Sequence, residues 1–462
     1  MPAQVAPQMQ PARKADATPQ PLPQTEPVRR RKPERPNKPR PPEWTLADFP
    51  VDPVEGRSRF HDFALPTALM HGIADLGFKY CTPIQEQALP AALEGKDIIA
   101  KAGTGTGKSA VFLLALFTRL LKDKEEQPRQ PGRPRALIIA PTRELVAQIA
   151  KDGKALGKYL PLRVAAVFGG TEYQKQEQLL STQPIDVIAA SPGRLLDYVA
   201  KRVMSLEHVE IMVIDEADRM LDMGFIPDVR RIISRLPPKE QRQTLLFSAT
   251  VSEDVKHLAA QWCVKPISIE SDPEQVAVET VQQVVYTVTS EEKYTVLYNL
   301  LAGQQAGRVM VFANMKHEAA RLHERLRRNG IEAVLLSGDV PQEKRMTRLE
   351  RFRDGKVQVM IATDVAGRGI HIDGITHVVN YSLPYEPEDY VHRIGRTGRA
   401  GEYGIAVSFA CEEGAFQLPT IEEYIGKPLP CLMPEEALLT PPPPPSVAAL
   451  PAAKQEKRQR RR

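Results

Sequence analysis

Residues 102–109, Ala102-Gly103-Thr104-Gly105-Thr106-Gly107-Lys108-Ser109, decide how the rest of the 462-residue chain is read. An apolar stretch, Asp97-Ile98-Ile99-Ala100, precedes the run, and Ala110-Val111-Phe112-Leu113-Leu114-Ala115-Leu116-Phe117 follows it. The first has the length of a buried strand and the second reads as an apolar helix. Strand, glycine loop and helix together make a phosphate cradle. Glycines let backbone N–H groups converge on an anion, and the helix N-terminus adds its dipole. Lys108 can then reach the β- and γ-phosphates of a nucleotide, and Ser109 offers a hydroxyl to Mg²⁺. Ala102 stands where the general pattern has glycine. Residues 102–109 are therefore the expected nucleoside triphosphate site.

Length and composition frame that site. A chain of this size holds two or three ordinary domains. Cys81, Cys263, Cys411 and Cys431 are scattered without metal-ligand spacing, and the nine histidines form no ligand cluster. Reduced thiols follow. No apolar run approaches the roughly 18 residues of a membrane helix, and the N-terminus lacks an apolar signal region, so a soluble, cytoplasmic protein is expected. The net charge of +5 hides a partition: residues 29–40 carry +6 and residues 452–462 carry +5, which leaves −6 on everything else. Such Pro-, Arg- and Lys-rich ends cannot bury enough apolar surface to fold alone, and they suit either a polyanion or simple solvation.

Along the chain, order is expected to begin near Phe60. The first motif is Gly77-Phe78-Lys79-Tyr80-Cys81-Thr82-Pro83-Ile84-Gln85, whose Gln85 carries both a donor and an acceptor that could read an adenine edge, with Phe60 free to stack on the ring. Beyond the phosphate loop, short apolar runs alternate with helical patterns. Ala136–Ala140 leads into Pro141-Thr142-Arg143-Glu144-Leu145, Val164–Phe168 into Gly169-Gly170, and Asp186–Ala190 into Ser191-Pro192-Gly193-Arg194. Ile211–Ile214 leads into Asp215-Glu216-Ala217-Asp218, and Thr244–Phe247 into Ser248-Ala249-Thr250. Continuous apolar strands separated by helices argue a parallel sheet covered on both faces, whose ligands sit beyond the carboxyl ends of the strands.

Asp215 at such a strand end is placed to hold Mg²⁺, and Glu216 to orient and deprotonate an attacking water. By themselves these residues would equally suit an acidic helix start; beside a phosphate loop they read as catalytic. A polar stretch at 266–280 marks a hinge, after which strand-like runs recur at 309–312, 333–336, 357–361 and 376–379 without a second phosphate loop. His392-Arg393-Ile394-Gly395-Arg396-Thr397-Gly398-Arg399 suggests arginine fingers donated across a cleft, although the same residues also admit a basic surface turn.

Taken together, residues 60–425 resemble a DEAD-box RNA helicase of superfamily 2. The ordered matches run from Gln85 through the phosphate loop, Asp-Glu-Ala-Asp and Ser-Ala-Thr to Gln342-Glu343-Lys344-Arg345, Thr363-Asp364 through Arg368-Gly369, and the arginine-rich run. Within the family, Cys81–Gln85, Arg368-Gly369-Ile370-His371 and Ala410-Cys411-Glu412-Glu413 resemble a bacterial branch that works in RNA degradation, with an RNase E-type degradosome as partner.

The resemblance implies an α/β fold of two RecA-like domains with parallel sheets, at 57–268 and 279–430, flanked by disordered tails at 1–56 and 431–462. It implies ATP and Mg²⁺, adenine recognition by Phe60 and Gln85, and phosphate and metal binding by Gly103, Thr104, Gly105, Thr106, Gly107, Lys108, Ser109 and Asp215. Asp215 and Glu216 would run hydrolysis with Arg396 and Arg399 as the fingers and Lys108 beside them, and Asp364 would contact the ribose. Arg143, Gly170, Arg194, Gln342, Arg345, Thr363 and Arg368 would line the RNA path, with Ser248-Ala249-Thr250 coupling the domains. His371 stands where most relatives carry Asp, and Gly367 where many carry Ala. A monomer that unwinds short duplexes by ATP-gated closure is expected; an ATP-dependent RNA clamp or scaffold, a ribosome-assembly helicase and a DNA translocase are the alternatives.

Overall fold

The apolar runs pair as two parallel sheets, each with its own strand order. The computed structural model describes residues 44–103, 105–122, 129–170, 172–270, 281–303, 307–367, 372, 374–398 and 403–444. The first sheet contains β1 (Ile98–Lys101), β2 (Ala136–Ile139), β3 (Val164–Val167), β4 (Val187–Ala190), β5 (Ile211–Ile214), β6 (Gln243–Ser248) and β7 (Ile267–Glu270), ordered β3-β4-β2-β5-β6-β1-β7. The second contains β8 (Val281–Thr287), β9 (Arg308–Phe312), β10 (Ala333–Leu336), β11 (Val359–Ala362), β12 (Ile375–Asn380), β13 (Gly404–Ala410) and β14 (Cys431–Leu432), ordered β10-β11-β9-β12-β13-β8-β14. Renumbered from its own first strand, the second order repeats the first, so one lobe is a topological copy of the other.

Register explains the sequence pattern. Ala136 lies opposite Ile211, Ile98 opposite Leu245, and every residue of β2, β4, β5 and β6 is buried. A strand covered by helices on both faces has no polar side, which is why these runs show no alternation. The helix Lys108–Lys122 buries Ala110 through Thr118 without interruption, so it too is apolar nearly all round. Because every described strand pair is parallel, all loops that follow strands emerge on one edge of each sheet.

Four strands lie outside the runs read from sequence. β7 falls inside the expected hinge and pairs Ile267 with Ile98, so the first lobe extends to Glu270. β8 and β13 are central in the second sheet and pair over seven residues, from Gly404↔Val281 to Ala410↔Thr287. β14 adds Cys431 opposite Val285 at the edge. The boundaries at 56 and 431 are therefore corrected. Leu46–Asp48 forms a 3-10 turn, Phe49 and Val51 are buried, and the His61 ring bonds to the Phe49 carbonyl. At the other end Leu438 and Leu439 pack on the second core, and Asn299 Nδ2 donates to the carbonyls of Leu438 and Thr440 at 2.8 Å each. Apolar residues among the prolines hold these segments to the lobes. The basic runs at 29–40 and 452–462, and residues 1–43 as a whole, lie outside the described residues. Among the described residues no helix is long and apolar enough to cross a membrane.

Candidate active site

The phosphate loop leaves β1 with Ala102 N–H donating to the Ser248 carbonyl at 2.8 Å, which ties it to the end of β6. Gly105 and Gly107 hold φ of +90° and +91°, left-handed values that a side chain would make costly. At Gly107 a Cβ would also overlap the Gln85 amide and crowd Thr82 Oγ1. Gln85 bridges the first motif to the loop: its Oε1 accepts from Thr82 N–H at 2.9 Å and its Nε2 donates to the Gly107 carbonyl at 3.0 Å. Its carboxamide is thus engaged inside the protein. Phe60, on the 3-10 turn Phe60–Asp62, is only 1% exposed, so it presents no open ring face for a base in this structure. Thr104 lies outside the described residues.

Lys108 opens its helix almost fully buried, with Nζ 2.7 Å from Asp215 Oδ1 at the end of β5. Burial pulls the ammonium down, but Asp215 and Glu216 outweigh it and leave Lys108 above its usual value. Glu216 sits at φ 56°, ψ 55°, a left-handed backbone that costs a non-glycine residue roughly 1–2 kcal/mol. That turn ends β5, starts the helix Ala217–Asp222 and sets Glu216 Oε2 2.7 Å from Arg219 Nη1. Burial pushes the Glu216 carboxyl up, yet Arg219, Lys108 and Arg396 overcome it and hold the group below the usual glutamate value. Asp215 Oδ2 and Glu216 Oε1 are buried and accept no hydrogen bond among the described residues. Uncommitted carboxylate oxygens against the start of the Lys108 helix are a hard donor set that fits Mg²⁺. Among the described residues no three His, Cys, Asp or Glu side chains gather as a metal site of their own, so the remaining ligands would be phosphate oxygens and water.

Asp218 carried no role in the sequence reading, yet it anchors Ser248-Ala249-Thr250. Its Oδ2 accepts from Ala249 N–H at 3.0 Å, Thr250 N–H at 2.9 Å and Thr250 Oγ1 at 3.3 Å, while Asp218 N–H donates to Ser248 Oγ. The Asp-Glu-Ala-Asp spacing held the signal: three residues after Asp215, a helical turn brings a carboxylate alongside β6. Asp218→Ala should cost the first lobe about 3 kcal/mol, from two charge-assisted backbone bonds. ATP binding should persist while unwinding per ATP hydrolysed falls. Thermal unfolding together with parallel ATPase and strand-separation assays would check it, and an unchanged coupling ratio would remove Asp218 from this role.

In the second lobe Asp364 is bound edge-on by Arg393, with Nε 2.6 Å from Oδ1 and Nη2 2.7 Å from Oδ2. Arg393 is 2% exposed and also donates to Asn314 Oδ1 and the Ser382 carbonyl, both at 2.7 Å. Asp364, expected at a ribose, is thus committed to a buried arginine hub that the sequence reading had not separated from its neighbours. Arg396 is buried, close enough to Glu216 to act on its charge, and donates Nε–H to the His392 carbonyl. A cleft of about 730 Å³ is lined by Lys108, Glu216 and the Ser-Ala-Thr loop from one lobe and by His392 and Arg396 from the other. Arg368, His371 and Arg399 lie outside the described residues.

The expected RNA-lining residues divide into two groups. Arg143 packs its guanidinium against Gly169 and Gly170, and Arg194 lies over the rings of Tyr173 and Tyr198 at 5.0 and 5.7 Å. Arg143, Gly170 and Arg194 thus gather around Gly169 in the first lobe. Gln342 and Arg345 reach across the lobes instead, with Gln342 Nε2 3.0 Å and Arg345 Nε 2.9 Å from Glu144 Oε1. Thr363 is buried at the end of β11.

Residues 82–258 match the DEAD/DEAH box helicase family, and residues 292–401 match the helicase conserved C-terminal domain. The chain is 56% identical over 389 residues to the ATP-dependent RNA helicase RhlB of Pseudomonas putida, covering 84% of this chain and 98% of that protein. It is 57% identical over 389 residues, with the same coverage, to RhlB of Pseudomonas aeruginosa. Among solved structures, Saccharomyces cerevisiae Dbp5 bound to RNA and ADP BeF3 is similar with a TM-score of 0.73 at 31% identity, over 81% of this chain and 96% of that one.

Proposed function

Because the chain belongs to the DEAD-box family of ATP-dependent RNA helicases, enzymes that hydrolyse ATP, we propose that it separates short RNA duplexes by ATP-gated closure of its two lobes. The observation that carries this reading is the cleft with Lys108 and Glu216 on one wall and Arg396 on the other, since neither lobe holds the full set alone. Lys108 binds the β- and γ-phosphates, exchanging its contact with Asp215 for phosphate oxygens. Ser109 and Asp215 would hold Mg²⁺, which when bound neutralises phosphate charge. Glu216, kept ionised by the cations around it, orients and deprotonates the attacking water. Arg396, with Arg399 as expected from the sequence, stabilises charge that develops on the transferred phosphoryl group. Phe60 and Gln85 then recognise adenine only after local rearrangement, because both are internally engaged without it. Domains at 45–270 and 281–444 would be the moving bodies.

RNA held by Arg143, Gly170 and Arg194 in the first lobe would meet Gln342, Arg345, Thr363 and Arg368 in the second. Glu144, which accepts from the Gln342 amide and pairs with Arg345 without RNA, would be displaced by phosphates. The test is RNA-dependent closure, read by energy transfer between dyes on the two lobes alongside ATPase rate. Closure and ATPase stimulated by RNA but not by DNA are expected; stimulation by duplex DNA would instead favour a translocase. The likeness to RhlB proteins supports a place beside an RNase E-type endonuclease in a degradosome. Nuclease-treated affinity purification would test that, and recovery of pre-ribosomes without an endonuclease would overturn it.

A further inference from the structure

The matched C-terminal domain ends at residue 401, yet the cleft has a wall residue beyond it. The helix Leu418–Ile425 places Tyr424 on the cleft, 38% exposed. The same helix buries Ile421 to 1% exposure and packs Leu418 and Ile425 on a core containing Tyr390, Val391 and Ile394. Those three belong to the helix Pro387–Ile394, which runs directly into Arg396. Tyr424 and Arg396 therefore ride on two helices packed as one body. At its far end the Leu418–Ile425 helix is held by Glu422 Oε1, which accepts from Leu429 N–H at 2.7 Å just before β14.

The remaining cleft lining is mostly charged. Its large apolar side chains are Leu221 and Val251 from the first lobe and Tyr424 from the second. Leu221 lies on the helix that begins at Ala217, beside Glu216, and Val251 follows Ser-Ala-Thr. Seven carboxylates, present on both walls, face four Lys and Arg side chains in the cleft, so bringing its walls together gains little from charge. An apolar contact across it supplies attraction that no ion must be desolvated to make.

We propose that Tyr424 is a positioning residue for ATP hydrolysis: its ring seats against Leu221 and Val251 as the lobes close, and so fixes the helix pair that presents Arg396. This rests on the clamp reading above. The contact gives the C-terminal segment, through β14 and Glu422, a mechanical route to the hydrolysis site.

The experiment compares full-length wild type, Tyr424→Phe, Tyr424→Leu and Tyr424→Ala by lobe-to-lobe energy transfer, ATP affinity without RNA, and kcat and KM at saturating RNA. Tyr424→Ala should lower kcat and the closed fraction by about tenfold, the size of one lost apolar anchor. Its ATP affinity without RNA should not change, because that affinity belongs to the first lobe. Phe should match wild type and Leu should recover most of the rate, since the ring's apolar surface is what acts. Tyr424→Ala with wild-type kcat and closure overturns the proposal, as does Phe as impaired as Ala. If Ala melts early, the Phe and Leu variants decide alone: both active is the expected result, and a tenfold loss in Phe overturns it. Absence of RNA-dependent closure in the wild type would instead sink the clamp itself, whereas closure equal in wild type and Ala sinks only the Tyr424 contact.

Discussion

Lys108→Ala is expected to abolish ATP binding and to destabilise the first lobe at the same time. Read from sequence, Lys108 serves phosphate charge alone, a role whose loss by itself would leave the fold untouched. In the structure Lys108 is buried and its Nζ lies 2.7 Å from Asp215 Oδ1. Removing one partner of a buried ion pair leaves the other uncompensated, at about 3–5 kcal/mol. Some of that cost will be relieved by protonation of Asp215, whose other oxygen has no hydrogen-bond donor among the described residues. The control is Lys108→Ala combined with Asp215→Asn, which removes both charges. It should recover most of the melting temperature while ATPase stays absent. Denaturation curves and a nucleotide-binding titration on the three proteins check this. Full stability in the single variant would mean that the pair contributes nothing to the fold, and retained ATPase would remove Lys108 from the site.

Arg396→Ala should bind ATP nearly as wild type does and hydrolyse it about a thousandfold more slowly, the low end of what a finger arginine contributes. A guanidinium in the proposed finger role would act on charge that develops in the transition state, so the loss belongs in kcat and not in ATP affinity. A second consequence follows from Glu216. Its carboxyl is held below the ordinary glutamate value against burial by Arg219, Lys108 and Arg396. A base kept ionised in this way is active above its own depressed pKa, so the wild-type rate should hold as pH falls toward the usual carboxylate range. Without Arg396 one of three cations is gone, burial weighs more, and the acid limb of the residual pH–rate profile should move to higher pH. An equal loss of rate and nucleotide affinity, with an unmoved acid limb, would place Arg396 outside the hydrolysis site.

Much of this was legible in sequence wherever one residue type meets one backbone demand. Gly105 and Gly107 sit at φ near +90°, and the loop they form could be recognised from their spacing alone. β2 and β5 could be read as continuous apolar runs because burial on both faces leaves no polar alternation to confuse them. β8 was missed for the opposite reason. Val281-Gln282-Gln283-Val284-Val285-Tyr286-Thr287 mixes polar and apolar residues without regular alternation, although its burial alternates once the strand is paired, and nothing local says that it lies beside β13 inside a sheet. β14 is two residues long and has no local signal at all.

The same division runs through the site. Sequence by itself was enough to single out Lys108, Ser109, Asp215 and Glu216 as the residues expected to carry the chemistry, because the first pair is set by a glycine loop and the second by a strand end. Only the tertiary structure decided what each is bonded to. Asp364 faces Arg393 across 29 residues, Asp218 faces Thr250 across 32, and Glu144 faces Arg345 across 201. A charged side chain chooses its partner by distance in space after the strands have taken their order, and strand order is set by packing of whole sheets. That is why the motifs could be read from short windows of the chain, while the assignment of Arg393 to a hub, Arg396 to the cleft and Gln85 to the phosphate loop required the folded lobes.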